Sequence, residues 1–148
     1  MSTIIPQSKI ISLRQSFAES RIQELKSSVN KLHALNDIPK LCIYLTGSFA
    51  RLEASQHSDV DLFFIHPGSS KSGPISRINK ILLDSELIKL SRELNFPEFS
   101  NDGEYLLIHY IEDIKDKLGS PQDDSSNYFT ARLLLLLESR SIYNDEYS

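Results

Sequence analysis

Two short apolar runs, Leu41-Cys42-Ile43-Tyr44-Leu45 and Leu62-Phe63-Phe64-Ile65, lie between segments whose apolar residues follow helical spacing. Their length and their β-branched and aromatic content predict two buried strands. Upstream, from about Ser8 to Leu35, apolar residues recur at steps of mostly three or four: Ile10, Leu13, Phe17, Ile22, Leu25, Val29 and Leu32. Lys, Arg, Glu and Gln fill the other positions. This predicts a long amphipathic helix with Pro6 just before its start, used for packing or, alternatively, as a dimer seam. Asn36-Asp37-Ile38-Pro39 predicts a turn into the first strand.

Beyond the second strand, Pro67-Gly68-Ser69-Ser70-Lys71-Ser72-Gly73-Pro74 reads as a loop by composition. It is a connector or, by its position, a flap. A second helix is expected from about Ile75 to Asn95, with Ile78, Ile81, Leu82, Leu87, Ile88 and Leu94 as its stripe and Phe96-Pro97 as its stop. A third strand follows from Glu104 to about Tyr110, then a short helix from Glu112 to Leu118 capped by Gly119. Asp123-Asp124-Ser125-Ser126-Asn127 suits the N-terminal cap of a last helix running from Tyr128 to about Ser141; Asp123 or Asp124 facing a cleft is the alternative. Leu133 to Leu137 make that helix apolar all round, so it should be buried or meet another element. Arg132 and Arg140 flank the leucines and are expected to pair with Glu138 or lie at the surface.

These elements describe an α/β domain with a small mixed β-sheet and packed helices. The 148 residues are expected to form one domain: an N-terminal helix at about 8–35 and a core at about 39–144. A strongly apolar helix so near the end suggests a partner chain, a homo-oligomer contact, or a C-terminal region cut short.

Composition narrows the class. A 40% hydrophobic and 24% charged chain is ordinary for a soluble globular protein. A net charge of −4 argues against a dedicated nucleic-acid binder held by phosphate contacts. The single cysteine, Cys42, sits mid-strand and reads as a small buried hydrophobe, which favours a cytoplasmic location. No basic-flanked apolar leader and no membrane-length apolar run is present. The four histidines, His33, His57, His66 and His109, show no zinc-ligand spacing. His57 is expected in solvent and His109 buried among apolar neighbours. No Walker-type loop, dinucleotide fingerprint or nucleophile elbow occurs.

The candidate chemistry lies where the two strands begin and end. Gly47-Ser48 closes the first run, and Ser58-Asp59-Val60-Asp61-Leu62 opens the second. Side chains alternate along a strand, so Asp59 and Asp61 share one face while Val60 and Leu62 point into a core. Mg²⁺ prefers oxygen ligands and takes one or two protein carboxylates plus phosphate oxygens. Gly47 lets backbone approach phosphates closely. Ser48 supplies a hydroxyl, and backbone N–H groups follow if a helix starts there.

The stretch from Leu45 to Leu62, with Gly47-Ser48, Arg51, Glu53 and Ser58-Asp59-Val60-Asp61, resembles the DNA polymerase β-like nucleotidyltransferase superfamily. It is most similar to the minimal and uridylyltransferase-like bacterial branch. Phe96 to Gly103 and Thr130 to Leu134 also look like segments of that branch. The resemblance implies a nucleotidyltransferase-like fold and Mg²⁺- or Mn²⁺-dependent transfer of a nucleoside monophosphate from an NTP, ATP among them, to an acceptor hydroxyl, releasing pyrophosphate. It implies that Asp59 and Asp61 hold the metal, that Gly47, Ser48, Arg51 and Ser58 bind nucleotide, and that a third carboxylate from a later strand completes the site. Asp102, in Ser-Asn-Asp-Gly, and Glu104 are the candidates for that third acid, and neither lies inside the apolar run itself. The acceptor is a protein side chain, a small molecule or an RNA end. The alternatives are a non-catalytic nucleotide-binding subunit and an antitoxin-like subunit that docks through its leucine-rich helix.

Overall fold

The computed structural model describes residues 7–73, 75–99, 106–125 and 128–145. Helix α1 (Gln7–Val29) leads through a 3₁₀ turn (His33–Asp37) into β1 (Cys42–Leu45). A one-turn helix α2 (Gly47–Ala50) and a looped segment return the chain to β2 (Leu62–His66). Then come α3 (Arg77–Glu93), β3 (Ile108–Tyr110), α4 (Ile111–Asp116), α5 (Pro121–Ser125), α6 (Tyr128–Glu138) and β4 (Arg140–Tyr143). The sheet order is β3-β2-β1-β4. β1 is antiparallel to both neighbours, and β3 runs parallel to β2, so the sheet is mixed as expected.

Strand alternation divides the core into two. Ile43, Leu45, Leu62, Phe64 and Ile142 face α1 and α3, where Ile22, Leu25, Val29, Leu83 and Leu87 complete the main core. Removing each of these large side chains from water contributes about 1.5–3 kcal/mol. Cys42, Tyr44 and Ile65 face the other way, under Phe63, Ile111 and Leu135. Cys42 is buried and unbridged, as its position predicts. Among the described residues, no helix is long and apolar enough to cross a membrane.

Several elements differ from the sequence reading. The first helix ends at Val29, not near Leu35. The Asn30 side chain donates back to Lys26 O at 2.7 Å and across to Ile142 O at 3.3 Å, competing with the helical ladder. The apolar stripe packs from Phe17 onward, while Ile10, Ile11 and Leu13 stay exposed beyond the core. The aspartates precede β2, which begins at Leu62.

The last helix stops at Glu138, where the Ser139 hydroxyl donates to Leu135 O at 2.6 Å. The chain then forms β4, a strand the helical reading of the leucine run concealed. The leucines are not buried all round: Leu135 covers the second face of the sheet, whereas Leu136 is 82% exposed. The stretch expected to cap α6 is itself partly helical, as α5. Asp123 sits inside that turn and accepts a fork from Arg132 at 2.8 and 2.6 Å. Ser126, Asn127 and the Asp124 side chain lie outside the described residues. The glycine-serine loop is tied down by α4: the Ser69 hydroxyl donates to Asp113 Oδ1 at 2.7 Å, and Ser70 N–H points at the same carboxylate.

Candidate active site

The antiparallel register of β1 and β2 builds the site. Leu45 lies opposite Leu62, and Thr46 N–H donates to Asp61 O at 3.0 Å. The end of one strand and the approach to the other are therefore neighbours, although Gly47 and Asp61 are well separated in sequence. The segment between them folds on itself. Arg51 N–H reaches Gly47 O at 3.1 Å, Glu53 N–H reaches Ser48 O at 2.8 Å, and Phe49, Ala50, Ala54 and Val60 are buried beneath. Burial alternates from Asp59 to Leu62: the valine and leucine are in the core and the aspartates are not.

Gly47 has φ +65°, a left-handed conformation that favours glycine. A Cβ there would lie 2.2 Å from Asp61 Oδ2. The missing side chain is thus the space that the Asp61 carboxylate occupies. Asp61 shows part of its surface to solvent as a residue, but its carboxyl is turned in over the glycine backbone. Burial is the main reason it holds its proton above the usual aspartate range; the negative charges of Asp59 and then Glu138 push the same way, and Arg51 opposes them.

Arg51 occupies the C-terminal end of α2. Its Nε donates to Glu53 Oε2 at 2.9 Å, and its Nη1 donates to Glu138 Oε2. Arg140 Nε donates to Ala50 O at 2.5 Å. Glu138 pairs with Arg51 and not with either flanking arginine: Arg132 pairs with Asp123, while Arg140 lies at the surface, the alternative expected for it, and bonds a backbone carbonyl. Glu138 is the residue near the site that sequence reasoning missed as a site residue. Only the meeting of α6 and β4 with α2 in space brings it there.

The structure brings Gly47, Arg51, Asp59 and Asp61 together, with Ser48 half-buried on the same turn. Ser58 Oγ accepts from Ser55 N–H at 3.0 Å and closes the loop before the aspartates. Asp102 and Glu104 lie outside the described residues. His57 is exposed, as expected, and bonds Gln56. His109 stacks on Phe63, with ring centroids 4.4 Å apart.

Among the described residues, no group of three or more His, Cys, Asp or Glu side chains is arranged to hold a metal ion. What is present is a pair of neighbouring carboxylates beside a backbone that leaves room for them. That donor set suits a hard divalent cation whose remaining ligands come from phosphate oxygens.

A family model described as a nucleotidyltransferase domain matches residues 22–132, more than half of the chain. The match takes in β1, the Gly47-Ser48 turn, both aspartates, β2 and the strand beside it. No curated protein and no solved structure matches the chain.

Proposed function

The chain belongs to the nucleotidyltransferase domain family, and from that premise we propose that it moves a nucleoside monophosphate from an NTP to an acceptor hydroxyl, releasing pyrophosphate. The observation that carries this reading is the fit of the Asp61 carboxylate into the space left by Gly47. Two acids at one strand end, beside a backbone that carries no side chain, are what such a transfer needs.

In this reading Asp59 and Asp61 hold Mg²⁺ or Mn²⁺, which supplies charge neutralisation for the attacking and leaving oxygens. Gly47 and Ser48 seat the β- and γ-phosphates, and Arg51 offers its guanidinium to them. Asp102 or Glu104 takes the proton of the acceptor hydroxyl. Catalysis is then mostly positioning and electrostatics. The acceptor class we favour is a protein side chain, and the acidic net charge disfavours an RNA end. A cytoplasmic setting, where NTP and Mg²⁺ are supplied, belongs to the same reading.

The test is incubation of the purified chain with each α-³²P-labelled NTP and Mg²⁺, following pyrophosphate release and label transfer to protein. Turnover that disappears in Asp59→Asn and Asp61→Asn supports transfer. Nucleotide binding without turnover in any condition points instead to a regulatory, antitoxin-like or partner subunit.

A further inference from the structure

Arg51 is held by two glutamates of different character. Glu53 is two positions away, 59% exposed, and takes Nε at 2.9 Å. Glu138 comes from the far end of the domain, is 17% exposed, and takes Nη1. Its place is fixed by backbone. It is the last residue of α6, and β4 begins two residues later, with Arg140 opposite Leu45 of β1. The Arg140–Ala50 hydrogen bond pins the same junction to α2. Glu138 lies beyond residue 132, where the family match stops.

Arg51 pairs with Glu138, and the charges of Asp59, Glu138 and Arg51 all reach the Asp61 carboxyl. An incoming triphosphate would find the Nη1 edge of Arg51 already occupied by a carboxylate. Resting on the nucleotide-transfer reading, we propose that Glu138 is a positioning residue that stands in for a phosphate oxygen: it holds the Arg51 guanidinium at the Gly47 turn while the site is empty and yields it to the triphosphate.

The two contacts divide the work. Glu53 keeps its hold on Nε, so the planar fork stays oriented when Nη1 changes partner. A guanidinium donates to carboxylate and phosphate oxygens with the same geometry, which makes the exchange a substitution of like for like. Removing the competing charge while keeping the shape should therefore tighten triphosphate binding, and should do so through Arg51.

The experiment uses the full chain, Mg²⁺ and the four α,β-imido NTPs, with Kd read by calorimetry and the tightest analogue carried forward. Glu138→Gln is expected to lower Kd by about three- to fivefold, the upper range of an ion pair with one exposed partner. In an Arg51→Ala background the same substitution should change Kd less than about twofold. An unchanged or higher Kd for Glu138→Gln overturns the proposal. So does equal tightening without Arg51, which would mean bulk repulsion alone. If Glu138→Gln does not fold, Glu138→Asp decides, because it shortens the reach and keeps the charge: a lower Kd than wild type supports the exchange, and an unchanged or higher one overturns it. Failure of the wild type to bind any of the four analogues overturns the nucleotide reading itself, and this inference with it.

Discussion

Asp61 Oδ2 occupies the position beside Gly47 where a side chain would begin, 2.2 Å from a Cβ built there. The contact couples the two halves of the motif, because neither can change without moving the other. In Gly47→Ala the new methyl meets the end of a short side chain, not backbone, so Asp61 rotates away and the fold survives. The left-handed φ adds about 1–2 kcal/mol of strain. We expect a modest fall in melting temperature, by thermal denaturation, with transfer activity lost far out of proportion to it. Full activity in a folded Gly47→Ala protein would disprove the coupling.

Asp61→Asn should separate stability from function. Asp61 keeps its proton to higher pH when folded than when unfolded, chiefly because its carboxyl is partly buried and because Asp59 and Glu138 are close. The sign follows from linkage: the folded state is favoured at acid pH, and that advantage is lost as pH rises through the raised folded value. Asparagine never carries the charge. At pH 7 the variant should be more stable by about 0.5 kcal/mol, after screening at a half-exposed site, and the gain should vanish at acid pH. Transfer should fall on the order of a thousandfold or more. A variant that melts lower than wild type at pH 7 counts against this account of the site's charge.

The sequence and the structure agree best where local pattern and tertiary role coincide. The Cys42–Leu45 and Leu62–His66 strands, the glycine turn and the extent of the helix Arg77–Glu93 are written in short-range spacing, but the helix's buried face is not: Leu83, Leu87 and Leu90 are buried, whereas Ile78, Ile81, Leu82 and Ile88, expected in its stripe, are exposed. β4 was not legible, because Arg140-Ser141-Ile142-Tyr143 has one fully buried residue and follows a leucine run that extends a helical pattern. The Arg51–Glu138 pair was invisible for a related reason: it spans 87 positions and exists only because β4 pairs with β1. The turn-borne acids Asp59 and Asp61 could be found because glycine, serine and alternating aspartates are local signals. A glutamate at a helix end carries no such mark.

Asp113 anchors the loop after β2. It is buried, and burial alone would raise its proton affinity. The hydrogen bonds from Ser70 and Ser69 outweigh that and hold it below the usual aspartate range, with a smaller contribution from Lys117. Its stabilising effect is thus present above the ordinary aspartate range and is lost as pH falls through the lowered folded value. Asp113→Ala leaves the buried Ser69 hydroxyl without its acceptor and should cost about 1–3 kcal/mol. Limited proteolysis should cut the variant faster between residues 67 and 73. Cleavage at the wild-type rate would show that the loop is held by something else.

His109 gives the protein a pH dependence nearer neutrality. Its ring lies parallel to Phe63, at an interplanar angle of 3°, with Tyr128 edge-on to it. Burial in this aromatic setting lowers its affinity for a proton below the ordinary histidine value. The unfolded chain therefore takes up a proton at a pH where the folded chain does not. Stability is full above the ordinary histidine value and declines as pH drops from there through the lowered folded value. Denaturation midpoints measured from pH 7.5 down to pH 5 should fall in wild type. His109→Phe keeps a ring to stack on Phe63 and has nothing to titrate, so its midpoints should fall less over the same range. Parallel pH profiles for the two proteins would assign the decline to other groups.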